Sequence, residues 1–418
     1  GNTVTNALGL NYVDNWGKKI SVNGSYFFNS TDNTDSSSSI RNYFSDNKLI
    51  YQENNIKKSN NINHRANMRI EYKIDTANTI ILTPRITIQN YKSNSFLTNF
   101  NKLPNDTAFL SNTSTNNTSN NAALNFQNDL LYMHKFSKKG RTLSVNLNTQ
   151  FNERDGEGDY YSSAFYNDSI VYYENINQNY FTESQGTNLR ADFSYTEPIG
   201  DKAQLQFSYR PSQNINESNK ETYNVNNQNY SIFDSVLSNK YKNTFTTHRG
   251  GVDFSINNSK MNFNAGVDFQ NYNLLGEQTF PYVSTVSKSY NNLLPNLRLR
   301  YNFSKTKNLN IRYRTDINAP SISQLQNIID VSNPLLIKAG NMELLPSYEN
   351  MLMMRMGLTN PDKARSLFVF IRASQASNYI TNATYFLNKD TLIQGYLVNK
   401  GSQLTSPVNL DNYYNLRS

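Results

Sequence analysis

Taken in steps of two, the residues from Arg65 to Ile74 separate into two sets: Ala66, Met68, Ile70, Tyr72 and Ile74 on one side, Arg65, Asn67, Arg69, Glu71 and Lys73 on the other. An extended strand points successive side chains to opposite faces, so one face suits hydrocarbon and the other suits water. The chain turns at residues 75–78 and returns with Ile80, Leu82, Pro84, Ile86 and Ile88 set against Thr83, Arg85, Thr87 and Gln89. Seven such pairs, each joined by a very short turn, follow one another along the chain. They are residues 4–13 with 20–28, 65–74 with 79–91, 124–136 with 142–151, 188–195 with 203–210, 246–256 with 261–272, 293–304 with 308–315, and 348–358 with 365–373.

Segments of roughly 9 to 13 residues are long enough for tilted strands to cross a bilayer, and short turns alternating with long connections are the pattern of outer-membrane barrels. Soluble β-sandwiches also alternate, but their strands average about 5–6 residues and their connections do not sort into two lengths. The pattern predicts an all-β protein, an antiparallel transmembrane β-barrel with fourteen strands and a fifteenth beginning near residues 412–416. The long Asn-, Ser- and Thr-rich stretches, such as residues 29–61 and 112–121, are expected to be mobile surface loops, because they bury too little apolar surface to offset ordering entropy. The competing reading of these tracts is a soluble, Asn-rich surface adhesin.

Composition changes the picture in four ways. No shift in composition divides the 418 residues, so residues 1–418 are read as one barrel domain. Hydrophobic residues make up only 37% and mean hydropathy is -0.68, which leaves no window near the roughly 20 apolar residues that a membrane-crossing helix needs. The 29 Tyr and 23 Phe suit half-buried strands and interfacial girdles, and the single Trp, Trp16, falls in a short turn where a girdle would place it. Zero Cys removes disulfide frameworks, thiolate metal sites and cysteine nucleophiles together. No export signal opens the sequence and its last segment does not complete a hairpin, so the chain is expected to be part of a longer barrel protein.

With the apolar parity given to lipid, the lumen-facing set contains Arg65, Arg69, Arg85, Arg190, Arg210, Arg249, Arg298, Arg300, Arg312, Arg314 and Arg355, against the carboxylates of Glu71, Asp129, Asp192, Asp253 and Asp268. Arg at the lipid midplane would cost about 2–4 kcal/mol each, which supports this orientation. Much of the net charge of +8 then lies inside. Two explanations stand: pairing with acidic groups of a plug or of neighbouring strands, which is favoured, and attraction of an anionic solute. Charges spread around a wall do not suit nucleic acid.

Tyr160, Tyr161, Tyr172 and Tyr173 crowd one expected extracellular loop, where aromatic faces can hold a ligand or pack the loop on its neighbours. Asp155, Glu157 and Asp159 alternate with Gly156 and Gly158 in a spacing open to calcium, without the full loop signature. His64, His134 and His248 lie on different predicted strands, and HExxH, GxSxG and Walker-type patterns are missing. No catalytic residue, resident metal or cofactor is therefore expected.

The region from Arg312 and Arg314 onward is more specific: Ala319-Pro320-Ser321-Ile322-Ser323-Gln324-Leu325, then Asn333-Pro334, then Gly340-Asn341 through Leu344 to Pro346. This series resembles the barrel of TonB-dependent receptors and, more closely, the outer-membrane β-barrel family abundant in Bacteroidetes, which carries an Arg, Pro-Ser, Leu and Gly-Asn-Pro-x-Leu-x-Pro-Glu series between two mid-barrel strands. Met342 stands where that pattern has Pro and Ser347 where it has Glu. The second departure weakens any role for an acidic residue in this loop. The resemblance implies a 22-stranded barrel in the Gram-negative outer membrane, a plug domain in its lumen, and uptake of a scarce solute driven by the TonB complex. The partners it implies are outer-membrane lipid, the plug, the TonB complex and a small solute, peptide or glycan. The alternative function is a secretion-associated or cell-surface interaction barrel without uptake of its own.

Overall fold

The computed structural model describes residues 1–43, 49–104, 108–167, 171–226, 231–325, 329–330, 333, 335–393 and 395–418. Its strands, in chain order, are β1 (Asn2–Trp16), β2 (Ile20–Asn42), β3 (Ile50–Lys73), β4 (Asn78–Lys102), β5 (Ser111–Lys135), β6 (Thr142–Asn167), β7 (Val171–Ile199), β8 (Ala203–Val225), β9 (Ser231–Phe233), β10 (Asn239–Asn257), β11 (Met261–Phe280), β12 (Ser284–Ser304) and β13 (Lys307–Asn318). A one-turn helix, α1 (Ile322–Leu325), precedes β14 (Ile329–Asp330), β15 (Leu336–Ala339), β16 (Ser347–Asn360), β17 (Arg365–Ser377), β18 (Tyr379–Phe386), β19 (Thr391–Ile393), β20 (Tyr396–Val398), β21 (Gln403–Leu410) and β22 (Tyr413–Arg417). Among the described residues no helix is long and apolar enough to cross a membrane.

One antiparallel sheet forms the wall, in the order β1 through β8, β10 through β13, β16, β17, β22, with β9 beside β8. The seven sequence pairs fall on consecutive wall strands and the terminal segment is β22, giving the fifteen strands that the alternation predicts. Among the described residues β1 pairs with β2 alone and β22 with β17 alone, so the wall is not closed.

The turns explain themselves locally. Asp75 accepts the backbone N–H groups of Ala77 and Asn78, each at 2.7 Å, and Asn258 accepts those of Lys260 and Met261 at 3.0 and 2.9 Å. Such side-chain caps let a short polar segment reverse the chain. Gly17 takes φ +71°, which lets β1 turn straight into β2.

Register carries the apolar parity around the wall, with shifts near strand ends at Lys240/Tyr241 of β10 and Asn302/Ser304 of β12. One transverse row reads Leu10, Tyr26, Ala66, Ile86, Phe126 and Phe151 across six strands. Further round, Leu299, Ile311, Met354 and Ile371 form another. Many of these side chains are exposed, Leu10 at 60% and Leu293 at 61%, a continuous apolar belt of the kind that a bilayer covers.

The polar stretches expected as loops are instead mostly strand. Wall strands β2 to β8 run for 23 to 29 residues, and residues 112–121 lie inside β5. The entropy argument for loops assumes an isolated segment. Here each added residue extends a ladder already templated by the membrane strands, and polar side chains pair across it, as in Ser93–Ser119 at 2.9 Å and Gln89–Asn61 at 2.8 Å.

Two segments leave the wall and fold inward. Residues 319–346 join β13 to β16 and residues 378–412 join β17 to β22; together they supply a small sheet in the order β14, β15, β21, β18, in which β15 and β21 run parallel, and the hairpin β19–β20. Leu335 is buried with Tyr51, Ala164 and Tyr166 of the wall, while Ile329, Ile337 and Val398 cluster with Leu237. Tyr51 shares the parity of Arg65 on β3, and Asn99 that of Arg85 on β4. The arginine-bearing face is thus the one that encloses these segments.

Candidate functional site

The interior divides into three arginine sectors that differ in their counter-charges. On β3 and β4, Arg69 meets Glu71 at 2.9 Å, while Arg65 and Arg85 have no ion pair among the described residues. On β7 to β11 the guanidiniums are well matched: Arg190 meets Asp192 at 2.8 Å, Arg249 meets Asp268 at 2.5 Å, and Arg210 lies 3.8 Å from each of these carboxylates. Asp268 is only 3% exposed, and Gly251, directly opposite, has no Cβ to collide with its Oδ1.

The third sector, β12 to β22, is different. Arg298 stands directly opposite Arg312, whose row continues through Met353 to Arg372 and Arg417. The next row joins Arg300, Asn310, Arg355 and Phe370, and the Arg355 guanidinium lies 5.5 Å from the Phe370 ring centre. Arg314 lies 3.8 Å from Asp316, the one ion pair of this sector among the described residues. Like charges facing across a ladder repel. The wall therefore holds a cationic surface that its own residues do not neutralise. Sequence reading placed Arg298, Arg300, Arg312, Arg314 and Arg355 on this face; it missed Arg372 and Arg417, although Arg372 alternates with the apolar Ile371 and Ala373 in the same way.

At the end of the long connections, polar ties hold the inner segments to the wall. Asn99 Nδ2 donates to Asn333 Oδ1 at 3.1 Å, Asn333 Nδ2 donates to the Tyr51 hydroxyl at 3.0 Å, and Asn101 Nδ2 donates to the Gly401 carbonyl at 3.0 Å. Thr113 donates to Asn99 Oδ1. The motif series lies within this arrangement: Asn341 N–H donates to the Gln324 carbonyl at 2.7 Å, and its Nδ2 to the Pro407 carbonyl at 3.0 Å. Leu344 is buried, and Pro334 lies outside the described residues. Burial pushes the Glu174 carboxyl up, against an Asn399 amide at 3.4 Å, and pushes the Lys220 ammonium down, against the opposing pull of Asp330 and Asp234.

The four tyrosines do not form one cluster. They sit on paired strands, where the period of two sends Tyr160 and Tyr172 inward and Tyr161 and Tyr173 outward. Tyr160 is buried and Tyr172 stacks on Tyr166 at 4.9 Å, whereas Tyr173 is 72% exposed. The glycines around Glu157 have a packing reason as well: the Tyr180 ring lies over Gly158, where a Cβ would sit 2.4 Å from its hydroxyl. Asp159 accepts Thr118 Oγ1 and Asn179 Nδ2, and Glu157 accepts Asn120 Nδ2. Among the described residues no group of three or more His, Asp or Glu is placed to hold a metal ion.

The histidines are dispersed on the outward face. His64 bonds Tyr26 and His248 bonds Tyr209, each at 2.8 Å, and His134 bonds Asn78 at 2.7 Å. These polar-tipped rings suit the borders of a bilayer.

Residues 134–417 match the model of the outer membrane protein beta-barrel family. The chain belongs to that family. As an outer membrane β-barrel family protein it resides in the outer membrane. Among solved structures it is similar to the alcaligin outer membrane receptor FauA of Bordetella pertussis, at 10% identity and TM-score 0.44, covering 99% of this chain and 57% of that one. It is also similar to the hemophore receptor HasR of Serratia marcescens, solved with its hemophore HasA and heme, at 12% identity and TM-score 0.46, covering 96% and 60%. The ferric preacinetobactin receptor BauA of Acinetobacter baumannii follows at 8% identity and TM-score 0.43, covering 99% and 58%. The chain spans less than two thirds of the length of these receptors. No curated protein sequence matches it.

Proposed function

We propose that this family member is the wall of an uptake barrel of the TonB-dependent receptor type, of the kind abundant in Bacteroidetes, acting by transport and not by chemistry. Residues 1–418 are its barrel domain. The reading rests chiefly on the uncompensated arginine surface of β12 to β22, because guanidiniums facing one another in a lumen need an anionic occupant. An acidic plug surface at that sector satisfies them in the resting state, and a passing anionic solute is the alternative counter-charge. The inner segments at the mouth support the same reading, since they fill the outer end of the passage while the wall continues below them. Tyr172, on the inward face and exposed, is the tyrosine that a solute would meet.

The test is accumulation of labelled solutes by cells with and without the gene, each with and without a functional TonB complex. Candidate ferric chelates, heme, peptides and oligosaccharides serve as probes. The proposal expects one class to accumulate only when both the gene and the TonB complex are present. Gene-dependent surface binding of a partner with no accumulation of any probe would favour the interaction barrel instead.

A further inference from the structure

Two grooves lie one above the other on the outward face of the first strands. The lower one, about 470 Å³, sits in the apolar belt. Gly24 and Ala66 form its floor, and Tyr12, Met68, Ile86 and Phe126 its sides. A Cβ on Gly24 would find no atom nearer than 3.9 Å, so the space is open toward lipid. The upper groove, about 860 Å³, crosses β1 to β7. Its lining is outward in parity and made mostly of polar residues, with Lys58 and Asn60 on β3, Lys92 on β4, Asn120 on β5 and Glu157 on β6, beside the apolar Val4 on β1 and Phe181 on β7.

Height decides what can occupy it. On β4 the unbroken outward apolar run ends at Ile88, Lys92 lies four residues beyond it, and the exposed Phe96 follows on the same face. At about 3.3 Å per residue and a tilt near 40°, the lysine stands about 10 Å above the edge of the hydrocarbon. A phospholipid headgroup layer is only about 5–7 Å thick on each side, so this groove faces what projects beyond it. The carboxylates in the groove are already engaged: Asp32 by Asn60, Glu157 by Asn120, and Asp159 by Thr118 and Asn179. Lys58 and Lys92, diagonal neighbours across the β3–β4 ladder, have no ion pair among the described residues. Amide carbonyls that read hydroxyls, an exposed aromatic ring and two ammonium groups without an ion pair are together the chemistry of a phosphorylated saccharide.

We propose that this outward face is a binding site for one glycolipid of the outer leaflet, with an acyl chain in the groove floored by Gly24 and Ala66 and its phosphorylated saccharide against Lys58, Lys92 and Phe181. The two grooves share β1 to β5, which places the apolar and polar halves of one molecule in line.

The test uses the full chain in phospholipid nanodiscs, with native mass spectrometry as the readout. The probes are diphosphorylated lipid A carrying its core oligosaccharide, the deacylated phosphosaccharide, and an anionic phospholipid. Retention of the glycolipid is expected to exceed that of the phospholipid at least tenfold, and to fall about tenfold both in the Lys58→Gln/Lys92→Gln double variant and in Gly24→Leu, which fills the lower groove from the lipid side. Unchanged heat-modifiable migration shows that each variant is folded. Equal retention of glycolipid and phospholipid overturns the proposal. So does tight binding of the free phosphosaccharide that Gly24→Leu leaves intact, which marks a soluble sugar as the ligand. A co-purifying protein that shields Lys58 and Lys92 from amine labelling, with no glycolipid retained, marks a protein interface and overturns it too.

Discussion

Single residues carry the difference between the balanced and unbalanced parts of the interior. Asp268 holds Arg249 and lies near Arg210 while almost fully buried, so Asp268→Ala strands the Arg249 guanidinium, with Arg210 keeping Asp192, and is expected to cost about 2 kcal/mol, read as a shift in urea unfolding in vesicles. Gly251→Ala should destabilise in the same assay, because the new methyl meets the Asp268 carboxylate. Arg312→Gln makes the opposite case. It removes one of two facing cations and leaves no carboxylate unpaired, so the isolated wall is expected to be no less stable, or slightly more so. At the β3–β4 turn, hydrogen bonds from Asn78 and Ala77 hold the Asp75 carboxyl below the ordinary aspartate range. A lowered folded-state pKa means that its contribution is fully present above the unfolded value, about 3.9, and is lost as pH falls toward the folded one. Asp75→Ala should therefore destabilise at pH 7 and become indistinguishable from the parent at strongly acid pH.

At the scale of elements, the alternation made the wall legible and the mouth illegible. Ile80 to Ile88 and Leu293 to Leu299 announce their faces because lipid imposes a strict period of two on them. Outside the bilayer both faces meet water, and the constraint vanishes. Residues 112–121 then read as a loop, although Asn99, Thr113 and Thr115 turn the same polarity into an ordered inner lining. The arginine parity was readable for the same reason as the apolar stripe. The tie of Asn333 to β3 and β4 was not, because it joins residues 282 and 234 positions apart. These ties predict a graded effect. Asn333→Ala leaves the buried Asn99 amide and the Tyr51 hydroxyl short of a partner, and should raise hydrogen exchange in β14 and β15 about tenfold while leaving β4 within the belt unchanged.

The molecule as a whole is a wall with an apolar outside, a cationic inside and a mouth filled by its own connections. Its side chains, exposed as they stand, each gain on the order of 1.5–3 kcal/mol when hydrocarbon covers them, so the membrane completes the fold. The central claim is this partition of alternate residues between lipid and a wet interior. The chain lacks Cys, so single cysteines can be introduced and spin-labelled one at a time at residues 82–88 of β4 and 293–299 of β12. In bilayers, collision with oxygen and with a water-soluble nickel chelate should alternate with a period of two: labels at Ile86 and Leu297 favour oxygen, and labels at Thr87 and Asn296 favour nickel. Equal accessibility of both parities to the same reagent along either strand would contradict the account.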